Sequence, residues 1–106
     1  MRKAITLGVG VLAGFSAMAA ASDHIVTQKG RQFSLETMTI KKGEAITFFN
    51  DDNVPHNLMS LSPGNEFNLG SQAPGSSTPV TFNQSGDVSV LCAIHPRMKL
   101  AVTVEE

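Results

Sequence analysis

Four side chains of this sequence have the chemistry to hold one metal ion. A short segment near the C-terminus reads CAIHPRM and carries the thiol of Cys92, the imidazole of His95 and the thioether of Met98. A second imidazole, His56, lies far upstream. Two imidazoles, a thiolate and a weak thioether suit both Cu(I) and Cu(II), because they combine soft sulfur with borderline nitrogen. The set therefore predicts a site for one copper ion that cycles between these two states.

Short runs of alternating apolar and polar residues surround these side chains. Alternation with a period of two predicts half-buried strands. The runs are 32–36, 45–48, 57–61, 78–82, 87–91 and 100–104. A Pro-, Gly- and Ser-rich stretch at 62–77 predicts a long loop, and the rest of the chain after residue 21 shows no helical stripe. The pattern favours an all-β fold, a small antiparallel sandwich or barrel.

The predicted strands place the candidate ligands at their ends. Cys92 follows the strand at 87–91, and Met98 comes directly before the last strand. The segment between them is thus a strand-to-strand connection, which Pro96 stiffens through its fixed φ. His56 is expected where another strand begins.

The N-terminal residues predict export. Arg2 and Lys3 precede an apolar run that ends in small residues, which is the pattern of a secretory signal peptide. The run is shorter than the roughly 20 residues that span a bilayer. We expect a signal peptide at 1–21, with Ala19 as the alternative cleavage point, and one domain at 22–106 without a membrane span. A retained anchor is the other interpretation.

The predicted domain is mildly acidic, with six Lys and Arg against nine Asp and Glu after removal of the signal peptide. It lacks the basic patch and aromatic platform that nucleic-acid binding needs. Cys92 is the only cysteine, so it forms no intrachain disulfide; a buried, inert thiol is the alternative to a metal ligand. We interpret His24 as solvated, and Asp51 with Asp52 as a solvated turn.

The segment NDDNVPHN around His56 and the segment CAIHPRM resemble the two ligand segments of the cupredoxin family, in its plastocyanin-like and amicyanin-like branch. The short Cys-x-x-His-Pro-x-Met spacing is similar to amicyanin rather than azurin. The resemblance implies a Greek-key sandwich in which Asn57 ties the two ligand segments together by hydrogen bonds. It also implies three equatorial ligands and one axial ligand, in this order: His56, Cys92, His95 and Met98.

Three positions depart from that pattern. Relatives often carry Thr-Pro or Ser-Pro between the cysteine and the second histidine, where this chain has Ala93 and Ile94. Many have Tyr before the cysteine, where Leu91 stands here. The reduction potential is therefore not carried over from the family.

The leading hypothesis is a monomeric periplasmic type 1 copper protein that is not an enzyme and carries single electrons. Its partner would be a redox protein that binds transiently, such as a cytochrome, a dehydrogenase or a reductase. We expect His95 at a surface with Pro55 and Pro96, flanked by Arg97 and Lys99. A copper-delivery protein is the second hypothesis. A Cys–His hydrolase is the third, although no oxyanion-hole motif is visible, and zinc also accepts these ligands.

Overall fold

The computed structural model describes residues 23–106, and every regular element in this range is a β-strand. The strands are β1 (Asp23–Lys29), β2 (Gln32–Phe33), β3 (Thr37–Lys41), β4 (Ala45–Asn50), β5 (Leu58–Ser60), β6 (Phe67–Asn68), β7 (Ser77–Thr81), β8 (Gly86–Cys92) and β9 (His95–Glu105). Within this range no helix has the length and apolar character needed to cross a membrane. The predicted signal peptide at 1–21 lies outside the described residues.

The strands form two sheets, in the orders β2-β1-β4-β7 and β3-β9-β8-β5-β6. The predicted all-β sandwich is confirmed. The sheets are mixed rather than purely antiparallel, because β1 pairs with β4 and β3 pairs with β9 in parallel. A tight hairpin joins only antiparallel neighbours, whereas two or more other strands separate these partners along the chain. The long connections allow the two strands of each pair to run in the same direction.

Strands β1 and β3 are absent from the sequence-based prediction. In β1 the apolar Ile25 is exposed and the polar Gln28 is buried, so hydropathy does not follow the burial pattern. The predicted strand at 32–36 is regular only in β2, and the predicted loop at 62–77 contains β6. Period-two alternation does not reveal β1, because polar Gln28 is buried there, and it does not reveal β6, because this strand has only two residues.

The core lies between the two sheets and extends to the end of the sandwich where β8 turns into β9. Alternate residues of β9 point inward from Met98 to Val104, and Val88, Val90 and Cys92 do the same on β8. Each fully buried aliphatic side chain contributes about 1.5–3 kcal/mol to stability. Cys92 is the last inward residue of β8, so its thiol lies at the boundary between the apolar core and the polar end of the fold.

Candidate metal centre

Three donor atoms converge at this end of the sandwich. The Nδ1 atoms of His56 and His95 lie 3.1 Å apart. The Sγ atom of Cys92 is 3.7 Å from Nδ1 of His56 and 3.6 Å from Nδ1 of His95. The three residues form a group whose donor atoms all lie within 4.8 Å of one another. The structure thus brings together three of the four predicted ligands.

The spacing of these atoms fits a small transition-metal ion. A point in the plane of the three atoms lies about 2 Å from each, which is close to metal–imidazole and metal–thiolate bond lengths of about 2.0–2.3 Å. Two imidazoles and one thiolate in a trigonal arrangement are the donors of blue-copper sites. The residues present therefore fit a copper ion.

A distorted hairpin presents Cys92 and His95 to the same point. Only Ala93 and Ile94 separate the end of β8 from the start of β9. Leu91 pairs with Lys99, whereas the next residue, Cys92, pairs with His95. Strand β9 therefore carries three additional residues at this register shift. Such a bulge re-aims side chains locally, and it explains how His95 and Met98 both begin the strand near the cysteine.

His56 is held by backbone pairing outside the main strands. Its N–H donates to the carbonyl of Gln72 at 3.1 Å, and the N–H of Gln72 donates to the carbonyl of His56 at 2.7 Å. The side-chain amide of Gln72 in turn donates to the carbonyl of Phe48 in β4. His56 is completely buried. His56 is thus tied through Gln72 to the β2-β1-β4-β7 sheet, opposite the β8–β9 hairpin.

Asp52 orients the His56 ring, a role that the predicted solvated turn does not include. Its Oδ2 accepts a hydrogen bond from Nε2 of His56 at 3.0 Å and from the N–H of Arg31 at 2.8 Å. The Arg31 N–H lowers the pKa of Asp52 to about 2, with smaller contributions from His56 and the N–H of Asn53. An ionised carboxylate keeps the ring proton on Nε2, so Nδ1 presents a lone pair to the metal point. The available sequence signal was the four-residue spacing between Asp52 and His56.

Asn57 joins the two ligand segments through its backbone. Its N–H donates to Sγ of Cys92 at 3.4 Å, and its carbonyl accepts from the N–H of Ala93 at 2.8 Å. Its side-chain amide instead donates to Oδ1 of Asn68 in β6 at 2.8 Å. The hydrogen bonds between the ligand segments therefore do not use the asparagine side chain.

The β1–β2 hairpin contacts His95 and also Asp52, the partner of His56, which the sequence did not indicate. Its two-residue turn consists of Gly30 and Arg31, both with positive φ, as type I′ turns require. The Nε of Arg31 donates to Nε2 of His95 at 3.3 Å. Partial burial, followed by the charges of His56 and Arg31, lowers the pKa of His95 below its ordinary value. The neutral imidazole that binds metals is thereby favoured.

Met98 is buried and belongs to the core, at 2% exposure. It also lines a cavity of about 480 Å³ beside the site, together with His95, Pro96, Arg97 and residues of the β1–β2 turn. Met98 lies on the same β8–β9 hairpin as Cys92 and His95, and its role as the axial ligand stays a prediction.

His24 differs from the sequence-based interpretation, because it is not simply solvated. Its Nε2 lies 3.0 Å from Oε1 of Glu44, and both side chains are largely shielded from solvent. Asp51 is exposed and forms a long ion pair with Lys29 at 3.7 Å.

Comparison with known families identifies the family of the chain. Residues 20–105 match the family described as copper binding proteins, plastocyanin/azurin family. The chain belongs to this family. The predicted relationship to cupredoxins is therefore confirmed.

Two curated relatives come from Methylorubrum extorquens. Amicyanin-alpha is 33% identical over 102 residues, which cover 93% of this chain and 85% of that protein. The methylamine utilization protein MauL is 27% identical over 106 residues, which cover 98% of this chain and 93% of that protein. The similarity extends over nearly the whole length of both relatives.

Solved structures support the cupredoxin fold. A purple cupredoxin from Nitrosopumilus maritimus superposes with a TM-score of 0.69 and 27% identity, over 78% of this chain and all of that chain. A copper-containing nitrite reductase from Thermus scotoductus gives a TM-score of 0.73 at 23% identity, over 80% of this chain. The match spans only 23% of the reductase chain, so it concerns one domain of an enzyme and shows the fold alone.

Proposed function

We propose that this protein carries single electrons through one copper ion held by His56, Cys92 and His95, with Met98 as the axial ligand. The observation that carries the proposal is the convergence of Nδ1, Nδ1 and Sγ at mutual distances of 3.1–3.7 Å. The copper ion would supply a reversible cycle between Cu(I) and Cu(II).

The protein restrains the donor atoms from several directions. Cys92 is fixed by β8 and by the N–H of Asn57, while His56 is fixed by Gln72 and Asp52. Buried, hydrogen-bonded side chains change position little. A site that keeps one geometry in two oxidation states needs little reorganisation, which favours rapid electron exchange.

Exposure assigns different tasks to the ligands. Cys92 is 2% exposed, so its sulfur is closed to a substrate, and this supports a carrier rather than a Cys–His hydrolase. The ring of His95 is only half-buried and lies beside the exposed Ile94, Pro96 and Arg97. We assign His95 as the point where electrons enter and leave.

The cellular setting remains part of the proposal. Export by the predicted signal peptide would place a monomeric domain in the periplasm, where it meets a cytochrome, dehydrogenase or reductase for short encounters. The two relatives are named for amicyanin and for methylamine utilization, which makes a methylamine-oxidising system the first partner to test.

The experiment compares two rates on the copper-loaded protein. Electron self-exchange, measured by NMR line broadening in mixtures of Cu(I) and Cu(II) protein, is expected to be fast. Copper loss to a chelator is expected to be slow. Slow exchange together with rapid transfer of Cu(I) to the chelator would contradict the carrier and favour a copper-delivery protein.

A further inference from the structure

The cations of residues 23–106 fall into two equal groups. Three lysines have a carboxylate partner: Lys29 pairs with an oxygen of Asp51, Lys41 with Glu105 and Lys42 with Glu106. The other three cations form no ion pair within the described part of the chain, and they are Arg31, Arg97 and Lys99. Half of the positive charge is thus uncompensated.

These three cations share one surface beside the metal centre. Arg31 and Arg97 line the cavity of about 480 Å³ that also contacts His95 and Met98. A smaller groove of about 210 Å³ also borders Arg31 and Arg97 and adds Lys99. Glu36 is the only carboxylate along both depressions. A locally positive surface therefore lies next to the proposed electron port of a domain that is acidic as a whole.

The backbone of Arg31 indicates that its side chain is needed. With φ at 57°, it is the only non-glycine residue with positive φ among residues 23–106. This conformation is unfavourable for an L-residue and costs glycine nothing. Glycine at this position would supply the same backbone N–H to Asp52. The guanidinium is therefore the group that arginine provides and glycine does not. Strained residues of this kind concentrate at functional sites.

The guanidinium of Arg31 lies at the edge of the His95 imidazole. Its Nε donates to Nε2 of His95 at 3.3 Å, which uses one of the five guanidinium N–H groups. The remaining N–H groups have the fork geometry that forms strong paired hydrogen bonds with a carboxylate.

We propose that Arg31, Arg97 and Lys99 form a docking surface for an acidic segment, rich in Asp and Glu, of the redox partner protein. This inference rests on the proposed electron-carrier function. Charge complementarity sets the orientation and rate of encounter more than its strength. The acidic segment would lie over His95, within reach of all three cations.

The test uses a hexaglutamate peptide as the probe and follows amide shifts in ¹⁵N-labelled protein. The reduced copper-loaded protein should bind the peptide, with shifts at residues 30–36 and 94–99, where the three cations lie. Hexalysine should give no shifts, and added salt should weaken the binding of hexaglutamate.

Arg31→Gly removes the guanidinium and relieves the backbone, so it should keep or raise the melting temperature. This variant should bind the peptide about threefold more weakly than wild type, because one exposed cation is lost, and Arg31→Lys should recover part of the affinity. Lys42→Gln, whose cation lies outside the surface, should behave as wild type.

Three results would overturn the proposal: no peptide-dependent shifts, an unchanged affinity in Arg31→Gly, or equal shifts from free acetate at the same carboxylate concentration. The visible spectrum of the same samples before reduction distinguishes failure of the docking surface from failure of the carrier function. A copper–thiolate band without peptide binding overturns the docking surface alone, whereas absence of the band overturns both the surface and the carrier function.

Discussion

A carboxylate on each side of strand β4 is bonded to a histidine, and the two His–carboxylate pairs have very different surroundings. Before the strand, Nε2 of His24 lies 3.0 Å from Glu44; after it, Nε2 of His56 lies 3.0 Å from Asp52. His24 remains partly exposed, whereas His56 is completely buried. Of these two histidines, His56 alone belongs to the cluster of three potential metal donors found among the described residues.

The comparison shows that a His–carboxylate pair orients a ring but does not make a site. At the His56 end, a bulged hairpin delivers a thiol and a second imidazole to the free nitrogen. At the His24 end, Oε1 of Glu44 also accepts the N–H of Lys41, so this pair stabilises the turn between β3 and β4. A metal site therefore requires several donor atoms that converge on one point, and a His–carboxylate pair alone does not provide them.

The largest difference between the two ends should come from the thiol. Cys92→Ser should abolish the intense visible band of the Cu(II) protein, because a hydroxyl oxygen gives no sulfur-to-copper charge transfer. His24→Gln, the matched change at the other end, should keep the band. Absorption spectra of both variants check this, and a persistent band in Cys92→Ser would remove the cysteine from the site.

The two carboxylates should differ next. Asp52→Asn should weaken copper binding about 10- to 100-fold, because groups that orient a ligating imidazole contribute about this much to metal affinity. Glu44→Gln should leave copper affinity unchanged. Competition with a copper chelator measures both, and equal affinities of the two variants would show that Asp52 does not act through His56.

Acid should erase the stabilising effect of Asp52. The pKa of this carboxyl is lowered from 3.8 to about 2 in the folded protein, so its contribution is complete above the unfolded value. The contribution is lost as the pH falls from about 4 through about 2. Melting temperatures of metal-free wild type and Asp52→Asn should therefore differ at pH 5 and converge towards pH 2. A constant difference over this range would contradict the ionised carboxylate.

The methionines provide the smallest contrast. Met98→Leu should raise the reduction potential, because loss of a thioether ligand disfavours the more highly charged Cu(II) state. Met38→Leu, a change on β3, should leave the potential unchanged. Either swap should cost less than about 1.5 kcal/mol of stability. Voltammetry that gives one potential for both variants would reject the axial role of Met98.

Residue types and spacing were sufficient to predict part of the centre. Cys92 and His95 are three residues apart at a strand end, so any hairpin brings them together. The pairing of His56 with that hairpin came from family resemblance, because its distance in sequence carries no geometric information. Asp52 and Arg31 were missed, since they meet only where the β1–β2 turn packs against the ligand segments. Parallel pairing was missed because period-two alternation is the same in either direction.

Titration of the metal-free protein with Cu(II), followed by visible absorption, tests the central claim most directly. The chain has no Tyr and no Trp, so protein absorbance is weak. We predict an intense thiolate-to-copper band that grows linearly and saturates at one equivalent, and that bleaches and returns on reduction and reoxidation. A protein that binds one equivalent of Cu(II) and stays colourless would contradict the assignment of His56, Cys92 and His95 as the ligands of an electron-carrying copper.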